Sequence, residues 1–293
     1  MNIELWIIIT VAAAFLQNVR SMLQKRLTQR LSVNGATYVR FLYALPIAWI
    51  YLAALASRQD LPLPNSEFLL YCLGGGVGQI LATACLVGSF AQRNFAVGTA
   101  LSKTEVVQAA IFGLLVLGDP VGWRVMMGIA VSLVGVLLLS NRVRLQDIFQ
   151  ADRSVLLGLA SGAAFAVAIV SFRGASLALP SGDYLIRAAL TLAVAVSLQS
   201  LIMGAYLGRF ETGELRRVVR AWRPASLVGL TGMLASAGWL TAVTLESAAL
   251  VRAVGQVELL FTFAASIWFF GERVGWREAV GVALVVIGIW VLL

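Results

Sequence analysis

The sequence predicts an all-α, polytopic membrane protein with ten transmembrane helices arranged as two inverted five-helix repeats. Of its 293 residues, 60% are hydrophobic and only 12% are charged, and the mean hydropathy is +0.90. A soluble domain of this length cannot bury so much apolar surface. The apolar residues also fall into runs of membrane-spanning length, and one long segment occurs twice. Together these three observations predict the fold class.

The repeated segment begins at Glu105 and begins again at Glu258, 153 residues later. In both copies a glycine followed by an acidic residue comes 13 residues after the glutamate. The motif V-G-W-R and then two glycines spaced by seven follow in each copy. The aligned positions are Gly118-Asp119 with Gly271-Glu272, Val121–Arg124 with Val274–Arg277, Gly128 with Gly281, and Gly135 with Gly288. Many secondary transporters are built from such duplicated membrane units. We therefore place the first repeat at residues 1–150 and the second at 151–293.

Each repeat divides into five apolar runs of roughly 20 residues, the length that crosses the hydrocarbon core of a bilayer. No cleavage pattern follows the first run, so we expect it to be a retained helix and not a signal peptide. The ten predicted spans are 4–27, 34–56, 67–91, 94–117, 122–140, 154–177, 183–207, 225–248, 250–270 and 275–293.

The number of spans in each repeat determines how the two repeats are oriented in the membrane relative to each other. Because five is odd, the second repeat enters the membrane from the opposite side, and the repeats are inverted. Lysine and arginine concentrate beside the loops that follow odd-numbered spans, whereas only Arg58 and Arg124 lie beside the other loops. By the positive-inside rule, the odd loops are cytoplasmic and both termini lie outside, which is the periplasm in a bacterium.

Composition argues against several other classes of protein. The chain has no histidine, which removes the commonest metal ligand, and we expect no metal site. Cys72 and Cys85 lie about 220° apart around one helix, so no disulfide is expected. There is no phosphate-binding loop, and we expect no cofactor. The net charge of +8 is explained by the basic loops, so no nucleic acid partner is expected.

An arginine occurs early in the second span of each repeat, within Tyr38–Leu42 and Leu185–Ala189. A glutamate, Glu105 or Glu258, lies in the fourth span, 13 residues before the glycine of a G-[DE] turn. In these features the chain resembles the ten-helix EamA-type members of the drug/metabolite transporter superfamily. The resemblance covers essentially the whole chain, although the family glutamate is usually followed by proline and here is not. It implies transport, and characterised bacterial members include aromatic and threonine-type amino acid exporters, while others take up metabolites.

Polar residues inside the fourth and ninth spans are candidates for substrate binding. A charge at the bilayer centre costs about 2.5–3.5 kcal/mol on insertion scales, so it needs a partner or water. Thr99 and Lys103 share one helix face, and the repeat places them on Arg252 and Gln256, which also share a face. We hypothesise that these residues line a central cavity, in which Lys103 or Arg252 binds the carboxylate of a substrate. Alternatively, Lys103 snorkels or pairs with a glutamate such as Glu246, and only stabilises the bundle.

For the two repeated glutamates, Glu105 and Glu258, the sequence favours a structural role. Glu105 and Glu258 lie on a different helix face from Lys103, although Glu105 is also a candidate partner for that lysine. Arg20 and Arg173 occupy equivalent positions in the first span of each repeat. We expect Glu105 to pair with Arg20, or Glu258 with Arg173. A sharper hypothesis makes one glutamate a proton carrier for coupling, since burial raises the pKa of a carboxyl group.

The positions of some other residues within the spans and loops suggest further roles. Gln79, Gln108 and Trp239 are candidates for the cavity wall, although a glutamine is equally suited to binding a neighbouring helix. The glycines spaced by seven predict packing seams on the fifth and tenth spans. The basic loop 208–224 reads as a short amphipathic helix on anionic lipid.

The expected function is secondary transport of a small polar metabolite by alternating access, with no catalytic residues. By resemblance, amino acid export across a bacterial inner membrane comes first. The alternatives are uptake of an anionic metabolite, a non-transporting membrane scaffold or channel subunit and, least favoured, an intramembrane enzyme. The expected partners are a small-molecule solute and membrane lipid, with a homodimer left open.

Overall fold

A computed structural model of the chain describes residues 4–90, 101–139, 153–270 and 275–292, and within these ranges it contains helices and no strands. One element is a π-helix, Gly113–Leu117. The α-helices are α1 Leu5–Leu27, α2 Val33–Leu42, α3 Leu45–Ala56, α4 Ser66–Phe90, α5 Glu105–Phe112, α6 Trp123–Leu139, α7 Arg153–Ala178, α8 Tyr184–Phe210, α9 Glu214–Arg220, α10 Trp222–Leu245, α11 Ala248–Val254, α12 Val257–Phe270 and α13 Trp276–Leu292.

Six helical segments of the described residues are long and apolar enough to cross a membrane, and two shorter apolar helical segments accompany them. The six are Leu5–Gln24, Val33–Ala56, Ser66–Leu86, Val155–Ala178, Tyr184–Phe210 and Trp222–Leu245; the shorter two are Glu105–Leu117 and Trp123–Leu139. The chain is therefore an all-α, multi-pass membrane protein.

The contacts within the chain group it into two units, and each unit contains parts of both sequence repeats. Unit 1 comprises Met1–Gly76 and Ser171–Leu245, and unit 2 comprises Val77–Val170 and Glu246–Leu293. The repeats at 1–150 and 151–293 are therefore units of the sequence, whereas each packing unit combines helices from both repeats.

In unit 1, α1 packs along α10. A Cβ atom built on Gly238 of α10 would lie 2.8 Å from the Cβ of Ala13, so the backbones of the two helices approach closely there. One built on Gly232 would lie 3.3 Å from Cδ of Arg20. Because Ala13 precedes Arg20 whereas Gly238 follows Gly232, the two helices are antiparallel.

A turn at Tyr43 and Ala44 divides the second predicted span into α2 and α3. Pro46 lies in the first turn of α3, where it has no N–H to donate to the preceding turn and its ring crowds the carbonyl of residue 42. Ser32 begins α2, since its hydroxyl accepts a hydrogen bond from the backbone N–H of Gly35 at 2.9 Å. At the start of α8, the carboxylate of Asp183 accepts a hydrogen bond from the backbone N–H of Ile186 at 2.9 Å. That hydrogen bond holds the pKa of the Asp183 carboxyl below its ordinary value.

In unit 2, α6 and α13 pack through the four repeated glycines, which confirms the predicted seams. A Cβ atom on Gly128 would lie 2.8 Å from the carbonyl oxygen of Gly288, and one on Gly135 would lie 2.7 Å from that of Gly281. Any side chain at these positions would push the backbones apart. The pairing of Gly128 with Gly288 and of Gly135 with Gly281 also makes the helices antiparallel, as inverted repeats require.

Two predicted spans differ from the structure because each is interrupted. The fourth, predicted as 94–117, has a turn at Lys103 and Thr104 before α5 begins, and its residues 94–100 lie outside the described part. The ninth, predicted as 250–270, has a turn at Gly255 and Gln256 between α11 and α12. Lys103 and Gln256 are equivalent in the two repeats, so both repeats interrupt the same helix at the same place.

The hydrogen bonds at the two interruptions match. The N–H of Val106 donates to the carbonyl of Lys103 at 3.5 Å, and the equivalent N–H of Leu259 donates to that of Gln256 at 2.9 Å. These bonds reach back three residues instead of four, which tightens the helix locally. The interruptions therefore form although Val106 and Leu259, and not prolines, follow the two glutamates.

Candidate functional site

The first element of the candidate site is an ion pair between the two interrupted helices of unit 2. Nη2 of Arg252 donates to Oε2 of Glu105 at 2.7 Å, and Nε of Arg252 lies 2.6 Å from Oε1 of the same carboxylate. The side chains are only 14% and 6% exposed. The Nη2 contact is a charge-assisted hydrogen bond, whereas Nε is close to the carboxylate without the alignment of a hydrogen bond.

The second element is an ion pair between Lys103 and Glu258. These side chains are 23% and 13% exposed, so this pair is the more accessible of the two. Glu258 also attracts Arg252, which joins the two pairs into one network of four charges. We call these residues, Lys103, Glu105, Arg252 and Glu258, the charge cluster, and its formal charge is zero.

The charge cluster follows the repeat only in part. Glu105 and Glu258 are equivalent, and each binds a cation from the other repeat. The cations are not equivalent, because Arg252 corresponds to Thr99 and Lys103 corresponds to Gln256. The two acids of the charge cluster are therefore equivalent in the repeat, and the two cations are not.

The charge cluster lies on helices with apolar surroundings. A hydrophobic cluster of Val106, Ala110, Ile129, Ala249 and Ala253 is buried on α5, α6 and α11. Low polarity of this kind strengthens each ion pair but also raises the cost of removing one partner. Replacing buried ion pairs with apolar residues is often neutral or stabilising, so stability alone does not explain four charges here.

The third element is Gln256, at the turn between α11 and α12. Gln256 is 4% exposed, yet neither its Nε2 nor its Oε1 has a hydrogen-bond partner among the described residues. Buried amides in folded proteins are normally hydrogen-bonded, and an unsatisfied one carries a desolvation penalty of about 1–3 kcal/mol. A buried donor and acceptor are thus available one turn from Arg252 and two residues from Glu258.

The remaining predicted site residues lie in several places. Thr99 is outside the described residues. The Nε2 group of Gln108 donates to Oγ1 of Thr104 at 2.8 Å, and a Cβ atom on Gly162 of α7 would lie 3.1 Å from that same nitrogen. Gln108 therefore holds the turn before α5 beside α7, which is a packing role.

The other two candidates for the cavity wall, Trp239 and Gln79, lie on α10 and α4. Trp239 belongs to unit 1, where its Nε1 donates to Oε1 of Gln17 at 3.0 Å. Gln79 is partly buried on α4, and its backbone carbonyl accepts the hydroxyl of Thr83 at 2.9 Å.

The ion partners of the glutamates differ from those predicted. Glu105 contacts Arg252, where we expected Arg20, and Glu258 contacts Lys103, where we expected Arg173. The prediction measured angles along a continuous helix, and the turn at Lys103 breaks that periodicity. Arg173 donates from Nη1 to the carbonyl of Val243 at 2.7 Å.

Among the described residues, no group of three or more histidine, cysteine, aspartate or glutamate residues is placed to hold a metal ion. Cys72 and Cys85 are both free thiols.

Comparison with known proteins agrees with this architecture. Residues 4–141 and 152–293 each match the model of a family described as the EamA-like transporter family. A solved crystal structure, described only as that of a protein, is 15% identical over 98% of this chain and 95% of its own, with a TM-score of 0.72. At that identity the likeness concerns the fold alone. No curated protein gives a significant match.

Proposed function

Because the chain belongs to the EamA-like transporter family, and so is a membrane transporter of the drug/metabolite type, we propose that its substrate is a small polar metabolite, namely an amino acid. Transport is export across a bacterial inner membrane, by alternating access between two inverted halves of five helices each. The termini lie in the periplasm, the solute and membrane lipid are the partners, and homodimer formation stays a prediction.

The observation that carries this proposal is the neutral charge cluster at the two helix interruptions. An amino acid has one carboxylate and one ammonium group, so it needs a site that offers charges of both signs. Arg252 and Lys103 can receive the carboxylate, while Glu105 and Glu258 can receive the ammonium. Discontinuous helices are where transporters commonly bind charged solutes, because their turns free backbone groups inside the membrane.

Gln256 supports the same proposal. Its amide supplies a donor and an acceptor that have no hydrogen-bond partner in the described part of the chain, and a bound polar solute would satisfy both. In this reading the ion pairs of the charge cluster are the resting state, and the substrate's charged groups exchange with them. Glu105 and Glu258 then act as structural ion partners that release a cation when the ammonium arrives.

Uptake of an anionic metabolite at this site is less well supported. That alternative required cations without counter-charges, and both Lys103 and Arg252 contact a glutamate. An anion entering here would have to compete with two carboxylates, whereas a zwitterion keeps the total charge unchanged.

Gln256→Leu is expected to reduce amino acid counterflow in proteoliposomes at least tenfold while leaving thermal stability unchanged or higher. The substitution removes hydrogen bonds to the solute, worth about 1.5–3 kcal/mol when one partner is charged, but also removes an unsatisfied buried amide. Gln59→Leu, outside the spanning helices, is the matched control and should transport normally.

Competition between related solutes tests the charge requirement. A zwitterionic amino acid should compete, whereas its deaminated acid and its decarboxylated amine should both compete at least tenfold less well. Normal counterflow in Gln256→Leu, or equal competition by the deaminated acid, would contradict the proposal.

A further inference from the structure

The connection between α8 and α10, together with the helix ends beside it, carries five exposed arginines in unit 1. Both flanking helices, Tyr184–Phe210 and Trp222–Leu245, are long and apolar enough to cross a membrane. The short segment that joins them, which includes α9, therefore stays at the membrane surface where α8 ends. The exposed arginines are Arg209, Arg216, Arg217, Arg220 and Arg223.

The two glutamates of the same segment face the protein. The carboxylate of Glu211 accepts hydrogen bonds from Oγ of Ser32 at 2.5 Å and from Nδ2 of Asn34 at 2.6 Å. Oε1 of Glu214, which is 3% exposed, accepts the backbone N–H of Ser32 at 2.6 Å. The start of α2 thus engages both carboxylates, and the exposed side of the segment is basic.

Contacts with the rest of unit 1 hold α9 in a fixed orientation. Val218 is fully buried. The hydroxyl of Tyr43 lies 3.2 Å from the carbonyl oxygen of Val218 and 3.4 Å from that of Val219, and donates to them. A helix of seven residues is not stable in isolation, so these contacts and those of Glu214 determine which side faces outward. The outward side is therefore formed before any ligand binds.

Three of the five arginines lie beside an exposed apolar side chain. The guanidinium carbon of Arg209 lies 5.5 Å from the ring centre of Phe210, that of Arg223 lies 5.4 Å from the ring centre of Trp222, and Arg220 follows Val219. The three apolar side chains are 56–68% exposed. We call the following six residues the basic-apolar surface: Arg209, Phe210, Val219, Arg220, Trp222 and Arg223.

The other two arginines differ from these three. Arg217 pairs with Glu214 at 3.1 Å, and its neighbour Val218 is buried. Arg216 follows Leu215, which is partly buried. The exposed apolar side chains therefore distinguish the basic-apolar surface from the rest of the basic segment.

The combination of exposed apolar groups and arginines fits the boundary between headgroups and acyl chains. Apolar side chains at this depth leave water for the acyl region, while each guanidinium donates to phosphate oxygens. A soluble anion would satisfy the arginines but leave the apolar side chains in water. A zwitterionic headgroup carries its own ammonium group, whereas an anionic phospholipid offers net negative charge to a basic surface.

We propose that the basic-apolar surface binds the headgroup of an anionic phospholipid such as phosphatidylglycerol. The sequence suggested anionic lipid for the loop 208–224 as a whole, and the structure assigns the contact to three arginines, two of them in the flanking helices α8 and α10. None of the charge-cluster residues takes part. This inference therefore does not depend on the proposed amino acid substrate.

Lipid titration of the purified full chain in an uncharged detergent tests the surface. An environment-sensitive fluorophore on Val219→Cys, in a chain whose native Cys72 and Cys85 are replaced, reports from within the surface. Phosphatidylglycerol should bind with an apparent affinity at least tenfold higher than phosphatidylcholine with the same acyl chains, because about 1 kcal/mol per arginine near an anionic lipid is a factor of about five. Raising the salt concentration should reduce this preference.

Two variants in the same labelled chain test the arginines. Arg220→Gln with Arg223→Gln should weaken phosphatidylglycerol binding about twentyfold. The matched control, Arg58→Gln with Arg153→Gln, removes the same charge from exposed arginines elsewhere and should bind as the parent does. Replacing Arg220 and Arg223 with lysine keeps the charge and should keep the affinity within about threefold, which guards against an effect of misfolding.

Several results would overturn the proposal. They are equal affinity for the two lipids, undiminished binding in the double glutamine variant, an equal loss in the control, and a loss in the lysine variant as large as in the glutamine variant. A response that inorganic phosphate or an oligonucleotide reproduces without lipid would show that the ligand is a soluble anion. Gln256→Leu should bind phosphatidylglycerol normally even if transport fails, so the two proposals can fail separately.

Discussion

Replacing Arg252 with glutamine is expected to destabilise the protein by about 3–5 kcal/mol and to abolish transport. The substitution leaves the carboxylate of Glu105, which is 6% exposed, without its ion-pair partner in an apolar environment. Removing one member of a buried ion pair costs this much because the other charge stays buried and uncompensated. Thermal unfolding of the purified protein and counterflow in proteoliposomes measure the two effects.

The double variant Glu105→Gln with Arg252→Gln separates stability from function. With both charges removed, most of the lost stability should return, since the desolvation cost of each ion is also removed. Transport should stay absent, because the site then lacks charges of both signs. Arg216→Gln, which changes an exposed arginine, should affect neither property. A single Arg252→Gln variant as stable as the wild type would show that this pair is not buried as described.

Gly135→Ala is expected to destabilise unit 2 by about 1–3 kcal/mol, the usual cost of an overpacked interior. The new methyl group would lie 2.7 Å from the carbonyl oxygen of Gly281 and 2.8 Å from the backbone N of Val285. Backbone atoms of a helix cannot move aside as a flexible side chain can, so α6 and α13 must separate. The measurement is the melting temperature of the purified protein.

Gly122→Ala is the matched control for the same substitution, because a Cβ atom there meets nothing within 4 Å. Its melting temperature should equal that of the wild type. The double variant Gly135→Ala with Gly281→Ala should cost less than the sum of its parts, since one separation of the helices serves both methyl groups. Strict additivity, or an unaffected Gly135→Ala, would contradict the seam.

The sequence was informative where a periodic pattern mapped directly onto packing. Glycines spaced by seven predicted the α6–α13 seam, because only a residue without a side chain permits such close approach. Apolar length predicted the six long apolar segments that the described residues form, and the repeated motif predicted the family. The helices α6 and α13 are equivalent in the two repeats, and they run antiparallel where Gly128 packs against Gly288. This is the relation that inverted repeats require.

The ion partners could not be predicted in the same way. Angles around an ideal helix separated Lys103 from Glu105, but the turn at Lys103 and Thr104 resets the direction of the side chains beyond it. The stems of Arg20 and Arg40 both lie beside Gly232, a tertiary contact that no local pattern predicts. The two packing units also cut across the sequence repeats, so no boundary read from the duplication could have found them.

Inversion of the two repeats is the claim on which the rest of the account depends, and the equivalent residues Trp123 and Trp276 test it most directly. They begin α6 and α13 and are 71% and 72% exposed. Single cysteines at these positions, in a chain whose native Cys72 and Cys85 are replaced, can be labelled in intact cells with a membrane-impermeant thiol reagent. The account predicts that one position reacts from outside and the other only after permeabilisation. Labelling of both from the same side would contradict it.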